Sequence, residues 1–278
     1  MLIAQITDLH LDARKAEGCE NTQQFRKVIA DIKEMSQRPD MLIVTGDLAE
    51  QGEPAAYKSL KAELSNFDLP IYFAIGNHDD RAAFAACFPE SQFNDGFLQY
   101  SFHQGQLRII VIDSSEPGRH GGAFCEKRAK WLEAELAKAP HTPTLIAMHH
   151  PPTDVGIPWI TTSETAPWAR RFKAVISAHD NIIHIMCGHI HRAIFKRFAG
   201  TTLSVASAVA PQVKLDLSAI DINNPDGRVL LEEARPGYAL HHWGGGSLTT
   251  HNVIVGARPI IHYDHAHAHI IRETLGQS

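Results

Sequence analysis

Six short apolar runs limit what this chain can fold into. Leu2–Thr7, Met41–Thr45, Pro70–Ile75, Leu107–Ile112, Thr144–Met148 and Ile182–Cys187 are nearly continuous in Val, Ile, Leu and Ala. Such runs read as strands buried on both faces, since a strand with one wet face alternates apolar and polar residues. Helical patterns lie between them. Phe25, Val28, Ile29, Ile32 and Met35 recur at helical spacing ahead of Pro39. Glu53–Ser65 opens with Pro54 in its first turn and keeps Tyr57, Leu60 and Leu64 on one face, and Glu126–Ala139 carries Trp131, Leu132 and Leu136. This alternation predicts an α/β layered fold.

After residue 192 the pattern changes. Ala193–Phe198, Thr202–Ala206, Ala219–Asn223 and Val229–Glu233 read as shorter strands. Asn224–Gly227 (NPDG) predicts a turn that makes a hairpin of the last two, and His241–Gly246 (HHWGGG) reads as a flexible loop. No linker or repeat divides the chain, so the expectation is a core over residues 1–200 with a β-rich extension over 201–278 that completes the same domain.

Composition narrows the class of function. The 278 residues carry a net charge of −5 and no basic block, which argues against a long nucleic acid as the main partner. No run reaches the length of a membrane helix, and MLIAQITDLH lacks the form of a signal peptide. Cys19, Cys87, Cys125 and Cys187 form no CxxC pair, so reduced thiols in a cytoplasmic protein are expected, with Cys187 a small buried side chain. Histidine is unusually frequent, with 18 in the chain, and where these residues fall matters more than their number.

Five strands end in polar, potentially ligating residues. Asp8-Leu9-His10 follows the first, Gly46-Asp47 the second and Gly76-Asn77-His78-Asp79 the third. His149-His150-Pro151-Pro152 and Gly188-His189-Ile190-His191 end two more. Each block alone has a plain explanation, as a loop cap or a satisfied surface histidine. Together they place seven candidate ligands, Asp8, His10, Asp47, Asn77, His149, His189 and His191, outside the carboxyl ends of strands, where open α/β sheets bind ligands. Mixed carboxylate, amide and imidazole donors without thiolates suit Mn, Fe, Co or Zn in a working site rather than structural zinc.

The order D-x-H, G-D, G-N-H-D, H-H-P-P, G-H-x-H resembles that of the calcineurin-like metallophosphoesterases. It is most similar to the bacterial class III cyclic nucleotide phosphodiesterases and related glycerophosphodiesterases. Blocks such as ITDLH, GNHDD, VIDSS, WLEAEL and MHHPP carry the likeness over roughly residues 1–200. The resemblance implies a layered α-β-β-α sandwich of two packed mixed sheets with the metal site at strand C-terminal ends. It implies one metal on Asp8, His10, Asp47 and His191, and a second on Asp47, Asn77, His149 and His189, with Asp47 bridging. It further implies hydrolysis of small phosphodiesters by metal-bound hydroxide, with a phosphomonoesterase or phosphonate monoester hydrolase as alternatives. A metal-poor interaction scaffold is the alternative outside catalysis.

Around that centre, His78 is placed to hydrogen-bond a phosphoryl oxygen or protonate the leaving group. Asp79 would orient His78, or else pair with Arg81. His150 either supports His149 or faces substrate. Asn77, His78, Arg119 and His120 are the candidate substrate contacts, the last two from the loop Ser114–Gly122. The C-terminal Ile261–Ile270, with His265, His267 and His269 alternating, reads as an extended segment whose polar face meets another subunit, making a homo-oligomer, or binds a metal.

Overall fold

The computed structural model describes residues 1–14, 20–265 and 267–275. The elements run β1 (Leu2–Ile6), α1 (Glu20–Glu34), β2 (Met41–Thr45), α2 (Pro54–Glu63), β3 (Ile71–Ala74), α3 (Arg81–Cys87), β4 (Phe93–Asn94), β5 (Phe97–Leu98), β6 (Tyr100–Gln104) and β7 (Leu107–Ile112). They continue with α4 (Glu126–Lys138), β8 (Thr144–Met148), α5 (Pro167–Ser177), β9 (Ile182–Cys187), β10 (Ile194–Phe198), β11 (Thr201–Val205), β12 (Gln212–Val213), β13 (Leu231–Glu232), β14 (Gly237–Gly244), β15 (Ser247–Ile254) and α6 (Ala268–Thr274).

Two mixed sheets carry the fold. One has the order β15-β14-β1-β2-β3 and the other β10-β11-β9-β8-β7-β6. In the first, β1, β2 and β3 are parallel and β14 pairs antiparallel with β1. In the second, β7, β8, β9 and β11 are parallel, with antiparallel β6 and β10 at the edges. Alternation along β7 and β8 sets the layers. Ile109, Val111, Leu145 and Ala147 join the core shared with β1–β3, while Ile110, Ile112, Ile146 and Met148 pack with Leu132 and Leu136 of α4 and Phe172 and Ile176 of α5. On the far side, Phe25, Val28 and Ile32 of α1 and Tyr57 and Leu60 of α2 close the first sheet. The result is the α-β-β-α sandwich.

Three expectations about the C-terminal part need correction. Ala219–Asn223 and Val229–Glu233 do not pair; Leu231–Glu232 pairs with Gln212–Val213 instead. Between them, Asp221 and Asp226 take the N–H groups of Asn223 (2.9 Å) and Arg228 (3.1 Å), so side-chain turns replace a ladder in a largely exposed stretch. HHWGGG is no flexible loop. His241–Gly244 continue β14, and the turn at Gly245 (φ 58°) and Gly246 (φ 76°) leads directly into β15. Positive φ at both central positions is what a two-residue type I′ hairpin turn requires. Finally, Ile261–Ile270 is not extended. Asp264 accepts from the N–H of His267 at 3.1 Å and from its Nδ1 at 2.7 Å, forming a turn that leads into α6, so His265, His267 and His269 do not share a strand face. Ala266 in that segment, like Cys19, lies outside the described residues.

Candidate metal centre

Strand ends from both sheets bring the polar blocks together. Asp8 and His10 follow β1, Asp47 follows β2, Asn77 follows β3, His149 follows β8, and His189 and His191 follow β9. Among the described residues seven non-glycines have positive φ, and five are Asp8 (53°), His10 (46°), Asp47 (50°), His189 (72°) and His191 (54°). Such backbone costs on the order of 1–3 kcal/mol per residue and persists only where surrounding contacts impose it. Those contacts are present. Asp8 N–H donates to Gly46 O (3.0 Å), Leu9 and His10 N–H both donate to Asp47 O (2.9 Å), and His189 N–H donates to the Asp8 carboxylate at 3.0 and 3.1 Å. Gly46 has φ 95°, and a Cβ there would lie 2.6 Å from Nδ1 of His149, so glycine permits the approach of the two sheets' ligands.

The imidazole hydrogen bonds fix where the lone pairs point. Nδ1 of His10 lies 2.8 Å from Oε2 of Glu50, Nδ1 of His149 2.7 Å from Thr45 O, and Nδ1 of His191 2.7 Å from Pro211 O. Each partner is an acceptor, so each Nδ1 carries a proton and each ring turns Nε2 inward, the atom that a metal or a second proton can occupy. There those nitrogens meet further acceptors. Nε2 of His10 lies 3.2 Å from Nε2 of His191 and 3.5 Å from Oδ2 of Asp47, while Nε2 of His191 lies 3.4 Å from Oδ1 of Asp8. Nε2 of His149 is buried without a hydrogen-bond partner, 3.2 Å from Oδ2 of Asp47. Imidazole nitrogens and carboxylate oxygens converging in a buried space call for positive charge, either protons on the rings or a cation, and this donor set fits divalent first-row metals.

Titration behaviour follows from the same crowding. Burial lowers the pKa of His149, but Asp47 and Asp8 overcome it and hold the ring up at about 9; His191 is likewise raised by Asp8 against burial. Burial raises Asp47, yet His149 and His10 hold it well below the ordinary carboxylate range. A cation bound here would displace the protons of His149 and His191, so protons and metal compete for the site.

Residues around this cluster have sharply different surroundings. His150 sits beside His149 and His189, but both its nitrogens are engaged. Nε2 faces Asn77 Oδ1 and His120 O, each at 3.1 Å, and Nδ1 meets Ser114 Oγ at 2.9 Å. It therefore ties Asn77 to the 114–122 loop rather than offering a free lone pair. Asn77 Nδ2 reaches Nδ1 of His120 at 3.3 Å. His78 donates from Nδ1 to Glu50 O at 2.8 Å and lines the same cavity as His120.

Two expectations fail at this point. Asp79 does not orient His78, nor does it pair with Arg81. Its carboxylate accepts from the N–H groups of Leu48, Ala49 and Gly76 and from the Tyr57 hydroxyl, holding the β2 and β3 turns together, and burial and Asp47 raise its pKa to about 6. Arg81 instead forms a two-point pair with Asp113 (2.7 and 2.9 Å). Arg119 is exposed, at the end of a turn closed by its N–H on Glu116 O (3.1 Å), and is not among the residues lining the cavity. Sequence reasoning also missed Glu50. Its signal, an acid three residues after Asp47 in a loop, is indistinguishable from a solvated charge.

A family profile described as calcineurin-like phosphoesterase matches residues 1–193. The chain belongs to that family. Relatives of the phosphoesterase include a probable glycerophosphodiester phosphodiesterase from Arcobacter nitrofigilis, 28% identical over 92% of this chain and 94% of the relative. A 3′,5′-cyclic adenosine monophosphate phosphodiesterase from Escherichia coli is 29% identical over 82% of this chain and 84% of its own length. Among solved structures, a dimetal phosphatase from Danio rerio superposes with a TM-score of 0.66 at 15% identity, covering 91% of this chain and 95% of that one. That last likeness concerns the fold. The calcineurin-like centre opens into a cavity of about 830 Å³. No helix among the described residues is long and apolar enough to cross a membrane.

Proposed function

We propose that this chain is a binuclear-metal phosphodiesterase acting on small phosphodiesters of the cyclic nucleotide or glycerophosphodiester type. One observation carries the reading. Oδ2 of Asp47 faces Nε2 of His149 at 3.2 Å on one side and Nε2 of His10 at 3.5 Å on the other, so one carboxylate oxygen serves two ligand groups. Asp8, His10, Asp47 and His191 make one group, and Asp47, Asn77, His149 and His189 the second. Two divalent ions, drawn from Mn, Fe, Co or Zn, supply when bound an acidified water and neutralisation of phosphoryl charge.

The chain's own residues do the rest. Glu50, Thr45 O and Pro211 O hold the ligand imidazoles in one tautomer. Asp47 Oδ1 accepts from the His78 N–H at 2.9 Å, which fixes His78 beside the ligands. With Nδ1–H committed to Glu50 O, Nε2 of His78 is the nitrogen available to substrate, and in the doubly protonated ring it donates to a phosphoryl oxygen or protonates the departing alkoxide. Carboxylates of Asp12, Glu20 and Glu50 line the cavity and, with the net charge, disfavour long nucleic acid. The diesterase names of both relatives quoted above support the reading.

The proposal extends to the whole protein. Residues 1–200 form the catalytic core, and 201–278 complete its sheets and supply the contact of a homo-oligomer. Exposed Ile260 (92%) and Tyr263 (78%) support such a contact. Free thiols at Cys87, Cys125 and Cys187 support a cytoplasmic setting. The test is kcat/KM for bis(p-nitrophenyl) phosphate against p-nitrophenyl phosphate on protein loaded with each metal. The diester is expected to be preferred; preference for the monoester, or no hydrolysis with any metal, overturns the proposal.

A further inference from the structure

The cavity beside the metal centre has two unlike halves. One is built from the imidazoles and carboxylates described above. The other is apolar and comes from two separate parts of the chain: Trp159 and Ile160 from the segment after β8, and Pro211, Val213 and Leu231 from the β12–β13 arm. Catalysis of phosphoester hydrolysis needs nothing from such a surface. A wall of this kind next to a reacting centre recognises the part of the substrate that does not react.

Both parts of the wall are held rigidly. Ile157 is buried, and Ile160 and Thr161 donate their N–H groups back to Ile157 O at 3.2 and 3.1 Å, so the chain makes one tight turn that presents Trp159. The Thr161 hydroxyl locks that turn by donating to Asp154 Oδ1 (2.7 Å) and accepting from Val155 N–H (2.6 Å). The arm is anchored from the metal centre itself. Arg192, next to His191, donates to Val213 O at 2.8 Å and to Glu232 Oε1 at 3.2 Å. This anchoring leaves Leu231, an apolar side chain, half exposed (52%) at the cavity wall. An indole carried on a locked turn, with an aliphatic side chain lining the same cavity, suits a flat ligand, because base–aromatic stacking uses the whole ring face and loses little entropy.

Size and charge restrict the ligand further. A volume of about 830 Å³ lies in the range of sites that enclose a drug-sized ligand, well beyond what a phosphoglycerol fills. Three carboxylates among the lining residues, Asp12, Glu20 and Glu50, disfavour an arm carrying further phosphates. We infer that Trp159, with Leu231, forms a stacking subsite for a flat, uncharged aromatic arm of the diester, such as a nucleobase, and that this subsite sets preference against glycerol-type diesters. The inference rests on the phosphodiesterase reading of the metal centre.

The experiment compares three diesters on the metal-loaded enzyme: adenosine 3′,5′-cyclic monophosphate, bis(p-nitrophenyl) phosphate and glycerophosphocholine. Trp159→Ala is expected to lower kcat/KM for the two aromatic diesters about 5- to 100-fold while changing glycerophosphocholine less than twofold. Trp159→Phe, which keeps a ring face, is expected to restore most of the loss, and Leu231→Ser to reproduce part of it. Calorimetric binding of adenosine 5′-monophosphate should weaken in Trp159→Ala by the same factor as kcat/KM. Equal losses on all three diesters, or a loss confined to glycerophosphocholine (an acid-flanked indole holding a trimethylammonium group), overturns the subsite. A wild-type enzyme that hydrolyses none of the three overturns the phosphodiesterase reading instead, so the two failures are distinguishable.

Discussion

A pair of neutral histidines buried between the sheets makes stability sensitive to mild acid. His184 of β9 and His241 of β14 face each other with ring centroids 5.5 Å apart. His184 meets the hydroxyls of Thr202 and Ser204, both at 2.7 Å, and His241 meets Thr250 Oγ1 at 2.8 Å and Gln5 Oε1 at 2.9 Å. Gln5 in turn donates to Cys187 O across the sheet interface at 2.9 Å. Every partner suits an uncharged ring, and no carboxylate is among them. Burial therefore lowers His184 to about 4 and, with His184 nearby, His241 to about 3. Both values lie below the unfolded reference of about 6.5, so the unfolded chain takes up protons first. Stability is complete above that reference and is lost as the pH falls from there toward the folded values. Between pH 7.5 and pH 5 the loss is about 2 kcal/mol per histidine, about 4 kcal/mol for the pair. At roughly 2–4 °C per kcal/mol for a chain of this size, the melting temperature drops by about 8–16 °C from this source. Scanning calorimetry at the two pH values, on chelator-treated parent and on a variant lacking both histidines, reads it as the difference between their two drops, because His149, His150, His189, His191 and Asp79 titrate alike in both. Asp8 and Asp47, whose pKa values are also held down, are not in play, because their unfolded forms protonate below this window. The double variant His184→Asn/His241→Asn should show most of that drop abolished, whatever its own starting stability. An equal drop in the variant and the parent refutes the reasoning.

Other outcomes follow from the site. Glu50→Gln should weaken metal binding about 10- to 100-fold, measured by equilibrium dialysis, because His10 loses the carboxylate that fixes its tautomer. His78→Ala should keep both metals by elemental analysis yet lose about 10²–10⁴ in kcat, with the smaller loss on diesters having good leaving groups. Truncation after Val255, whose N–H still donates to Pro236 O (2.9 Å), should leave metal content unchanged and lower the mass found by light scattering; an unchanged mass removes the tail from the oligomer contact.

What could be read from the sequence divides along physical lines. Strands β1, β2, β7, β8 and β9 are buried on nearly every residue, so their composition alone identified them, and the polar blocks at their ends marked the site. The β14–β15 hairpin was hidden because a core-facing His241 breaks the apolar pattern; only its partners Gln5 and Thr250, distant or across the turn, make it a core residue. Asp79 was mistaken for a catalytic partner because a carboxylate next to His78 looks like one, whereas the backbone N–H groups that claim it come from a different strand's turn. Glu50 and the carbonyls of Thr45 and Pro211 were out of reach for a related reason: tautomer-fixing contacts are long-range and backbone groups leave no mark in a sequence. Trp159 and Leu231 belong to irregular segments whose meeting at one cavity depends on the whole fold.

The central claim is that Asp47 is shared by two metal positions. Its most direct test is a metal titration of wild-type and Asp47→Ala protein, followed by calorimetry at fixed pH. The account predicts two ions per wild-type chain and, in the variant, a loss of affinity at both positions together. Two ions bound by Asp47→Ala at wild-type affinity would contradict it.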